Sequence, residues 1–130
     1  MALKAFFDDS GTHRNSDAVV MGGLIAPDER WAVLEEEWAK VLAETGLRKM
    51  HMASCENRRG QFKKLERDER DRIVARFREI IEKLRARMLF SSVSREVWQK
   101  VASSIHEGTA SWTPLRVTFT IMLSAVLTAL

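Results

Sequence analysis

Two adjacent carboxylates end the first apolar stretch of the chain, which reads Leu-Lys-Ala-Phe-Phe-Asp-Asp-Ser-Gly from Leu3 to Gly11. Successive side chains of an extended segment point to opposite faces, so Asp8 and Asp9 leave it in opposite directions. Ser10 and Gly11 are turn formers. An acid at a strand end is a usual position for a metal ligand, because Mg²⁺ prefers oxygen ligands. A simple polar turn explains the same four residues, so both interpretations stay open.

A basic stretch is the second feature that could do chemistry. From Leu47 to Lys64 the chain carries six basic residues and one acid, Glu56. The formal net charge is only +3, so the positive charge is distributed unevenly along the chain. Such a cluster favours a polyanionic partner such as nucleic acid.

Length and composition limit the remaining choices. A chain of 130 residues fits one domain with a single core. Cys55 is the only cysteine, which excludes an intramolecular disulfide and is typical of a reducing compartment. Lys4 and Asp8 leave no room for the apolar region of a signal peptide, so we expect a cytoplasmic protein.

The apolar pattern predicts two strands and then a helix in the first part of the chain. Strands are expected over Leu3–Gly11 and Ala18–Ala26, paired as an antiparallel hairpin, with the second strand covered on both faces. Gly22 and Gly23 inside that strand indicate a bulge or a close backbone approach. A helix is expected from Pro27 to Gly46, with its two tryptophans as core anchors.

The rest of the chain is predicted to be mainly helical. Leu47–Gly60 reads as a loop with one helical turn. A helix from about Leu65 to Met88, a strand over Met88–Val93 and a helix from Ser94 to Gly108 follow. Pro114–Leu130 is apolar and shorter than the roughly twenty residues of a membrane span, so we expect a buried core helix and no membrane partner. Its apolar end predicts a truncated protein or a partner that covers this face.

The combination of these motifs resembles the domain-of-unknown-function 3800 family. Members open with a strand that ends in Asp-Glu-Ser-Gly, matched here by Asp8–Gly11, followed by a Gly-Gly-apolar strand, matched by Gly22–Ala26. Their His-Met-Ala segment is matched by His51–Ala53, and the basic Gly-x-Phe-Lys stretch after it by Arg58–Lys63. The similarity covers residues 3 to about 101.

This resemblance implies a ribonuclease-H-like α/β fold, with a mixed sheet, N-terminal antiparallel strands and amphipathic helices packed on them. It also implies a metal-dependent, nuclease-like hydrolysis of phosphodiesters with Mg²⁺ or Mn²⁺. On this basis Asp8 would be the main metal ligand and Glu56 a second one. Asp9 would be an outer group or a turn former, and His51 would orient a water, bind the metal or serve a structural role. The residues expected to hold the phosphate backbone are Arg58, Arg59, Lys63 and Lys64.

Two departures from the family pattern shape these expectations. Ser54 stands where members usually have an acid, so a carboxylate in this segment must come from Glu56. Members also continue into a further strand and a closing helix with another acid, whereas no carboxylate occurs from Gly108 to Leu130. We therefore expect a single domain over 1–130 that lacks its C-terminal strand and helix and a complete set of catalytic acids.

A different class of function fits the same features. In this alternative the chain is a non-catalytic module that binds nucleic acid or protein. It would use the basic segment 48–64, and the apolar helix 114–130 would contact a protein partner or a second copy of the chain.

Overall fold

Mixed α and β structure runs through the computed structural model, which describes residues 2–104 and 112–129. The strands are β1 (Leu3–Ser10), β2 (Ala18–Pro27) and β3 (Arg87–Ser94). The helices are α1 (Asp28–Thr45), α2 (Met52–Glu56), α3 (Arg67–Leu84), α4 (Arg95–Ala102) and α5 (Pro114–Ala129), with a 3-10 helix at Gly60–Phe62. In the described ranges the sheet is three-stranded and antiparallel. The expected α/β class and the antiparallel N-terminal strands are thus confirmed, whereas the expected mixed sheet was wrong for the described ranges, because β3 returns antiparallel to β2.

The chain divides into two compact units. The first unit contains residues 2–4 and 26–86, and the second contains residues 5–25 and 87 onward.

The first unit is built on the packing of α1 against α3. The ring centroids of Trp38 and Phe77 lie 4.3 Å apart at a tilted angle, an arrangement that aromatic pairs favour. The buried core consists of Val41, Leu47, Cys55, Phe62, Ile73, Phe77 and Ile80. Because Leu47, Cys55 and Phe62 belong to this core, the irregular segment between the two long helices is fixed by burial.

Helix α1 has the predicted bounds, and local chemistry explains both ends. Asp28 and Glu29 occupy its first turn, where carboxylates stabilise the positive end of the helix dipole. Gly46 ends it in the left-handed conformation, with φ of +69°. Trp31 is buried, and its indole N–H donates to the Lys4 carbonyl over 2.9 Å, so it is an anchor as expected.

Helix α3 ends earlier than its apolar pattern predicts. The expected end at Met88 was wrong, because the helix stops at Leu84 and β3 begins at Arg87. The reason is the backbone of Arg85, which adopts a left-handed conformation with φ of +47° and reverses the chain.

The second unit contains most of the sheet, whose strands are ordered β1-β2-β3. Strands β2 and β3 pair residue by residue from Ala18 opposite Ser94 to Ile25 opposite Arg87, so this pair has no bulge. At Gly23 the predicted close approach is present instead. A Cβ atom there would collide with the ring of Phe7 and lie 2.7 Å from the carbonyl oxygen of Phe6.

Two burial predictions for the second unit were wrong. Strand β2 buries Val19, Met21 and Ile25 on one face, but Val20 on the other face is 37% exposed. Ala26, which shares the face of Val20, is nevertheless 2% exposed, so this face of β2 is covered only in part. Helix α5 packs on β3 and buries only part of its surface. Thr118 and Met122 are enclosed, while Leu127 is 65% exposed. In both elements the described residues leave part of the apolar surface exposed, and apolarity alone does not reveal this.

The other helices mostly follow expectation. Ser94 caps α4 by accepting the backbone N–H of Val97 over 3.5 Å, as predicted, and this helix ends at Ala102. The extension predicted up to Gly108 falls partly on residues 105–111, which lie outside the described residues. None of the helices in the described ranges is long and apolar enough to cross a membrane.

Candidate nucleic-acid interface

A cleft of about 420 Å³ lies in the first unit, in the segment between α1 and α3. Three cationic side chains, a histidine and two neutral polar side chains line it, and none of the lining residues is acidic. The lining residues are Arg48, Lys49, His51, Ser54, Arg59, Gly60, Gln61 and Phe62. The composition of this basic cleft suits an anion with several oxygen acceptors.

Gln61 fixes the backbone that carries two of the cations. Its amide oxygen accepts the backbone N–H of Arg48 over 2.9 Å, and its amide nitrogen donates to the carbonyl of Lys49. The next residue, Phe62, is 0% exposed and anchors the 3-10 helix in the core. The backbone at Arg48 and Lys49 is therefore tied to a buried element, although the side chains themselves are exposed.

His51 has a structural role that determines its tautomer. It is the N-cap of α2, where its Nδ1 accepts the backbone N–H of Ser54 over 3.3 Å and lies 2.7 Å from the Ser54 hydroxyl oxygen. A backbone N–H can only donate, so Nδ1 carries the lone pair. From these two contacts of Nδ1 we infer that, in the neutral ring, the proton lies on Nε2. His51 thus offers one N–H donor beyond its cap.

The turn after α2 presents Arg58 and Arg59. Arg58 has a left-handed backbone with φ of +52°, and Gly60 follows with φ of +56°. The backbone N–H groups of Arg58 and Arg59 donate to the carbonyls of Cys55 and Ser54 over 3.3 and 2.8 Å. Arg59 reaches the basic cleft by way of this tight turn.

Arg70 of α3 holds the end of α2. Its Nη1 donates to the carbonyl of Cys55 over 2.8 Å and to that of Glu56 over 3.5 Å. The Cys55 side chain is only 2% exposed. Burial raises the pKa of the Cys55 thiol, and the charge of Arg70 acts in the opposite direction. This thiol is therefore a buried group of the core.

The structure places the predicted backbone-binding residues unequally. Arg59 lines the basic cleft, whereas Arg58, Lys63 and Lys64 are exposed in the same segment and do not line it. Arg48, Lys49 and Gln61 were not among the site residues predicted from the sequence. Arg48 and Lys49 lie in the basic stretch from Leu47 to Lys64, so the count of charges included them. Nothing in the sequence indicated the hydrogen bonds made by Gln61.

Glu56 is exposed and ends α2. It does not line the basic cleft, which His51 and Arg59 share. Of the candidate residues of the first unit, the structure therefore brings those two together and leaves Glu56 outside the cleft.

Asp8 and Asp9 belong to the second unit and lie near the end of β1, where both are exposed. An oxygen of Asp8, Oδ1, accepts the backbone N–H of Asp9 over 3.0 Å. Gly11 then turns the chain with φ of +76°, and a Cβ atom at this position would collide with the carbonyl oxygen of Ala18. The acids are thus followed by a turn that only glycine fits.

Arg95, which the sequence analysis missed, holds the loop after this turn. Its Nη2 donates to the carbonyls of Gly11 and His13, each over 2.9 Å. Its backbone N–H donates to the carbonyl of Asp17 over 2.8 Å. One residue at the start of α4 therefore fixes both ends of the loop between β1 and β2.

Within residues 2–104 and 112–129, no three His, Cys, Asp or Glu side chains lie close enough together to hold a metal ion. Magnesium commonly takes one or two carboxylates and fills its remaining positions with water and phosphate oxygens. Asp8 and Asp9 fit only a site of this water-rich kind.

Comparison with known proteins identified no related protein. No family model, no curated protein and no solved structure matches the chain.

Proposed function

We propose that this chain binds the phosphate backbone of nucleic acid in the basic cleft. The observation that carries the proposal is the convergence of Arg48, Lys49 and Arg59 on one cleft with no acid among its lining residues. Guanidinium groups pair with phosphate through two parallel hydrogen bonds, and lysine adds a compact charge. The Nε2–H of His51 supplies a further donor.

Backbone contacts of this kind position nucleic acid without reading its sequence. Their strength depends on counterion release, so affinity falls steeply as salt increases. Arg58, Lys63 and Lys64 extend the positive surface of the same segment and add to this salt-dependent attraction.

A charge-matched pair of variants tests the proposal. We expect Arg48→Gln, Lys49→Gln and Arg59→Gln together to weaken binding of a fluorescent 20-base-pair duplex. The slope of log affinity against log salt should fall by about 2.7, from about 0.9 for each lost phosphate contact. Fluorescence polarisation at several salt concentrations gives both quantities.

The control removes the same charge from the exposed face of α3, with Arg67→Gln, Arg72→Gln and Arg78→Gln. These residues are exposed in the same unit and lie outside the basic cleft. An equal loss of affinity in the two triple variants would show that net charge, rather than the cleft, drives binding.

Metal-dependent, nuclease-like hydrolysis is the second candidate function. The exposed carboxylates of Asp8 and Asp9, followed by a loop that Arg95 holds, favour it. Together with the resemblance to the domain-of-unknown-function 3800 family, they support a ribonuclease-H-like protein in which Asp8, water and phosphate oxygens bind Mg²⁺ or Mn²⁺.

Calorimetry and a cleavage assay test this second candidate. We expect Mn²⁺ to bind the wild-type chain weakly in calorimetry, and Asp8→Asn to abolish the binding while the exposed α3 control Asp68→Asn retains it. Labelled DNA and RNA incubated with Mg²⁺ or Mn²⁺ report hydrolysis. Equal metal binding by wild type and Asp8→Asn would reject Asp8 as the ligand.

A further inference from the structure

The ring of His51 is a flat surface whose orientation is fixed. Its Nδ1 accepts the backbone N–H of Ser54 over 3.3 Å and lies 2.7 Å from the Ser54 hydroxyl oxygen. The lone pair of Nδ1 lies in the plane of the ring, so these contacts do not occupy the two faces. His51 is exposed and lines the basic cleft. Because unpaired bases stack on rings of this kind, the cleft offers a stacking surface that is already oriented.

Arg48 and Arg59 add two further planar groups to the cleft. Both are exposed, and neither forms an ion pair with a carboxylate of the residues that the structure describes. A guanidinium donates to phosphate through N–H groups in its own plane, which leaves its face for a neighbouring ring. Each arginine can therefore bind a phosphate and contact the adjacent base.

Gln61 keeps hydrogen-bonding capacity beyond its two backbone bonds. A side-chain amide has two N–H donors and two acceptor lone pairs. The bonds to Arg48 and Lys49 use one of each and fix the amide in place. One N–H and one lone pair remain, and the edge of an unpaired base carries the donors and acceptors that such a pair recognises.

These groups distinguish an unpaired nucleotide from a duplex. In a duplex the bases are stacked on one another and paired along their Watson–Crick edges, so a ring of the protein reaches neither their faces nor those edges. The volume of the cleft, about 420 Å³, lies within the range of about 300–1,000 Å³ that is usual for small-molecule sites. A concave site of this size suits a single unstacked nucleotide.

The magnitudes favour the single strand as well. The salt slope is about 0.9 per phosphate contact for a duplex and about 0.7 for a single strand, so three contacts favour the duplex by about threefold at about 0.15 M salt, counted from 1 M. Stacking of one base on the protein contributes about fivefold to 150-fold in affinity. One stacked base therefore outweighs the higher charge density of the duplex.

Resting on the proposed function, we infer that the basic cleft binds an unpaired nucleotide of a single-stranded nucleic acid in preference to a duplex. The base stacks on the ring of His51, and its edge meets the amide of Gln61. The adjacent phosphates are held by the cations Arg48, Lys49 and Arg59.

Fluorescence polarisation with the full chain tests this preference on three labelled ligands. They are a 20-nucleotide oligo-dT, an abasic oligomer of the same length, which keeps the phosphates and lacks the bases, and a 20-base-pair duplex. At about 0.15 M salt we expect oligo-dT to bind at least about fivefold more tightly than the abasic oligomer. It should bind about twofold to fiftyfold more tightly than the duplex.

A variant of His51 tests the stacking surface itself. His51→Asn removes the ring, while asparagine can still cap α2. We expect the ratio of oligo-dT affinity to abasic affinity to fall to within about twofold of one, and the loss of a phosphate donor cancels in this ratio. His13→Asn, at an exposed histidine of the loop between β1 and β2, should keep the wild-type ratio.

The outcomes separate the inference from the function on which it rests. Equal binding of oligo-dT and the abasic oligomer, tighter binding of the duplex, or a ratio that His51→Asn leaves unchanged overturns the inference. Nucleic-acid binding itself stands in these cases. If no ligand binds, or if the cleft variant Arg48→Gln, Lys49→Gln, Arg59→Gln binds as well as wild type, the proposed function fails and the inference fails with it.

Discussion

Arg58 and Arg85 are the two non-glycine residues of the described ranges whose backbones have a positive φ. A left-handed backbone costs a side-chain-bearing residue about 1–2 kcal/mol, and glycine avoids this cost. Arg85 ends α3, where such a conformation is usual at a helix terminus. Arg58 lies in the basic segment, so its side chain offers a functional reason to keep arginine there.

Substituting glycine for Arg58 and for Arg85 separates the cost of the backbone conformation from the function of the side chain. Allowing for the greater freedom of glycine in the unfolded chain, we expect Arg58→Gly and Arg85→Gly each to raise the free energy of unfolding by about 0.5–1 kcal/mol. Urea denaturation measures this gain. Arg58→Gly should also weaken duplex binding because it removes a cation of the basic segment, whereas Arg85→Gly removes a cation outside that segment and should not. If the two variants bind alike, Arg58 is not a contact residue.

Arg95 stabilises the loop after the acidic turn through two charged hydrogen bonds. Bonds of this type contribute about 1.5–3 kcal/mol, and methionine keeps the apolar stem while removing the donors. We expect Arg95→Met to lower the free energy of unfolding by about 1–3 kcal/mol in urea denaturation. Arg14→Met, an equal charge change on an exposed residue of the same loop, should stay within about 0.5 kcal/mol of wild type. Similar losses in both variants would contradict this role.

At the scale of elements, the two neighbouring glycines of β2 have different reasons to be there. A Cβ atom on Gly23 would collide with Phe7 and crowd the Phe6 carbonyl, whereas at Gly22 its nearest neighbour would be the Leu89 carbonyl oxygen at 4.0 Å. Alanine therefore has room at Gly22 only.

The same substitution at both positions measures how closely β1 approaches β2. We expect Gly23→Ala to lower the free energy of unfolding by about 1–3 kcal/mol, since overpacking of a fixed backbone contact has this cost. Gly22→Ala should leave it unchanged or raise it by up to about 1 kcal/mol, because alanine suits a strand better than glycine does. Thermal and urea unfolding of the two variants give the comparison, and equal effects would reject the close approach.

Sequence pattern predicted the elements whose signals are local. The start and end of α1 followed from Pro27 and Gly46, and the cap of α4 followed from Ser94. The end of α3 was missed because an arginine occupies the left-handed position that usually signals itself through glycine. The burial of α5 was overestimated because an apolar face does not reveal whether a neighbour covers it.

The candidate site was predicted in part for the same reason. Charge counting found the basic segment, and His51 and Arg59 do line the cleft. The roles of Gln61 and Arg95 depend on bonds between residues 12 to 84 positions apart, which no local pattern encodes.

At the scale of the whole molecule, the second unit carries large exposed apolar side chains. Met88 and Phe90 of β3 are 73% and 76% exposed, and Leu127 of α5 is 65% exposed. Exposed apolar surface favours contact with another protein or with a second copy of the chain. The protein partner or homodimer expected through helix 114–130 stays a prediction, and β3 offers a second surface on which it can be tested.

We expect the apparent mass of the chain to rise above 14.9 kDa with concentration in light scattering. Met88→Thr with Phe90→Thr should reduce this association, because threonine keeps strand preference while removing apolar surface. Val33→Thr with Met52→Thr changes exposed apolar side chains of the first unit and serves as the control. A concentration-independent monomer, or equal association of the two double variants, would rule out an interface at β3.

The pairing of Ile25 with Arg87 has a consequence for how the length of this chain can vary. The polypeptide leaves the sheet-bearing unit after Ile25, forms all of α1, α2 and α3, and re-enters that unit at the residue directly opposite. Paired residues of antiparallel strands have Cα atoms only about 4.5–5.5 Å apart, so the excursion over residues 26–86 begins and ends at nearly one point. Adjacent ends are the geometry at which insertions and segment exchange are tolerated. Because Trp31 of this excursion is bonded to the Lys4 carbonyl of β1, we expect changes of length to be tolerated between α1 and α3, where they leave the register of β2 against β3 unchanged.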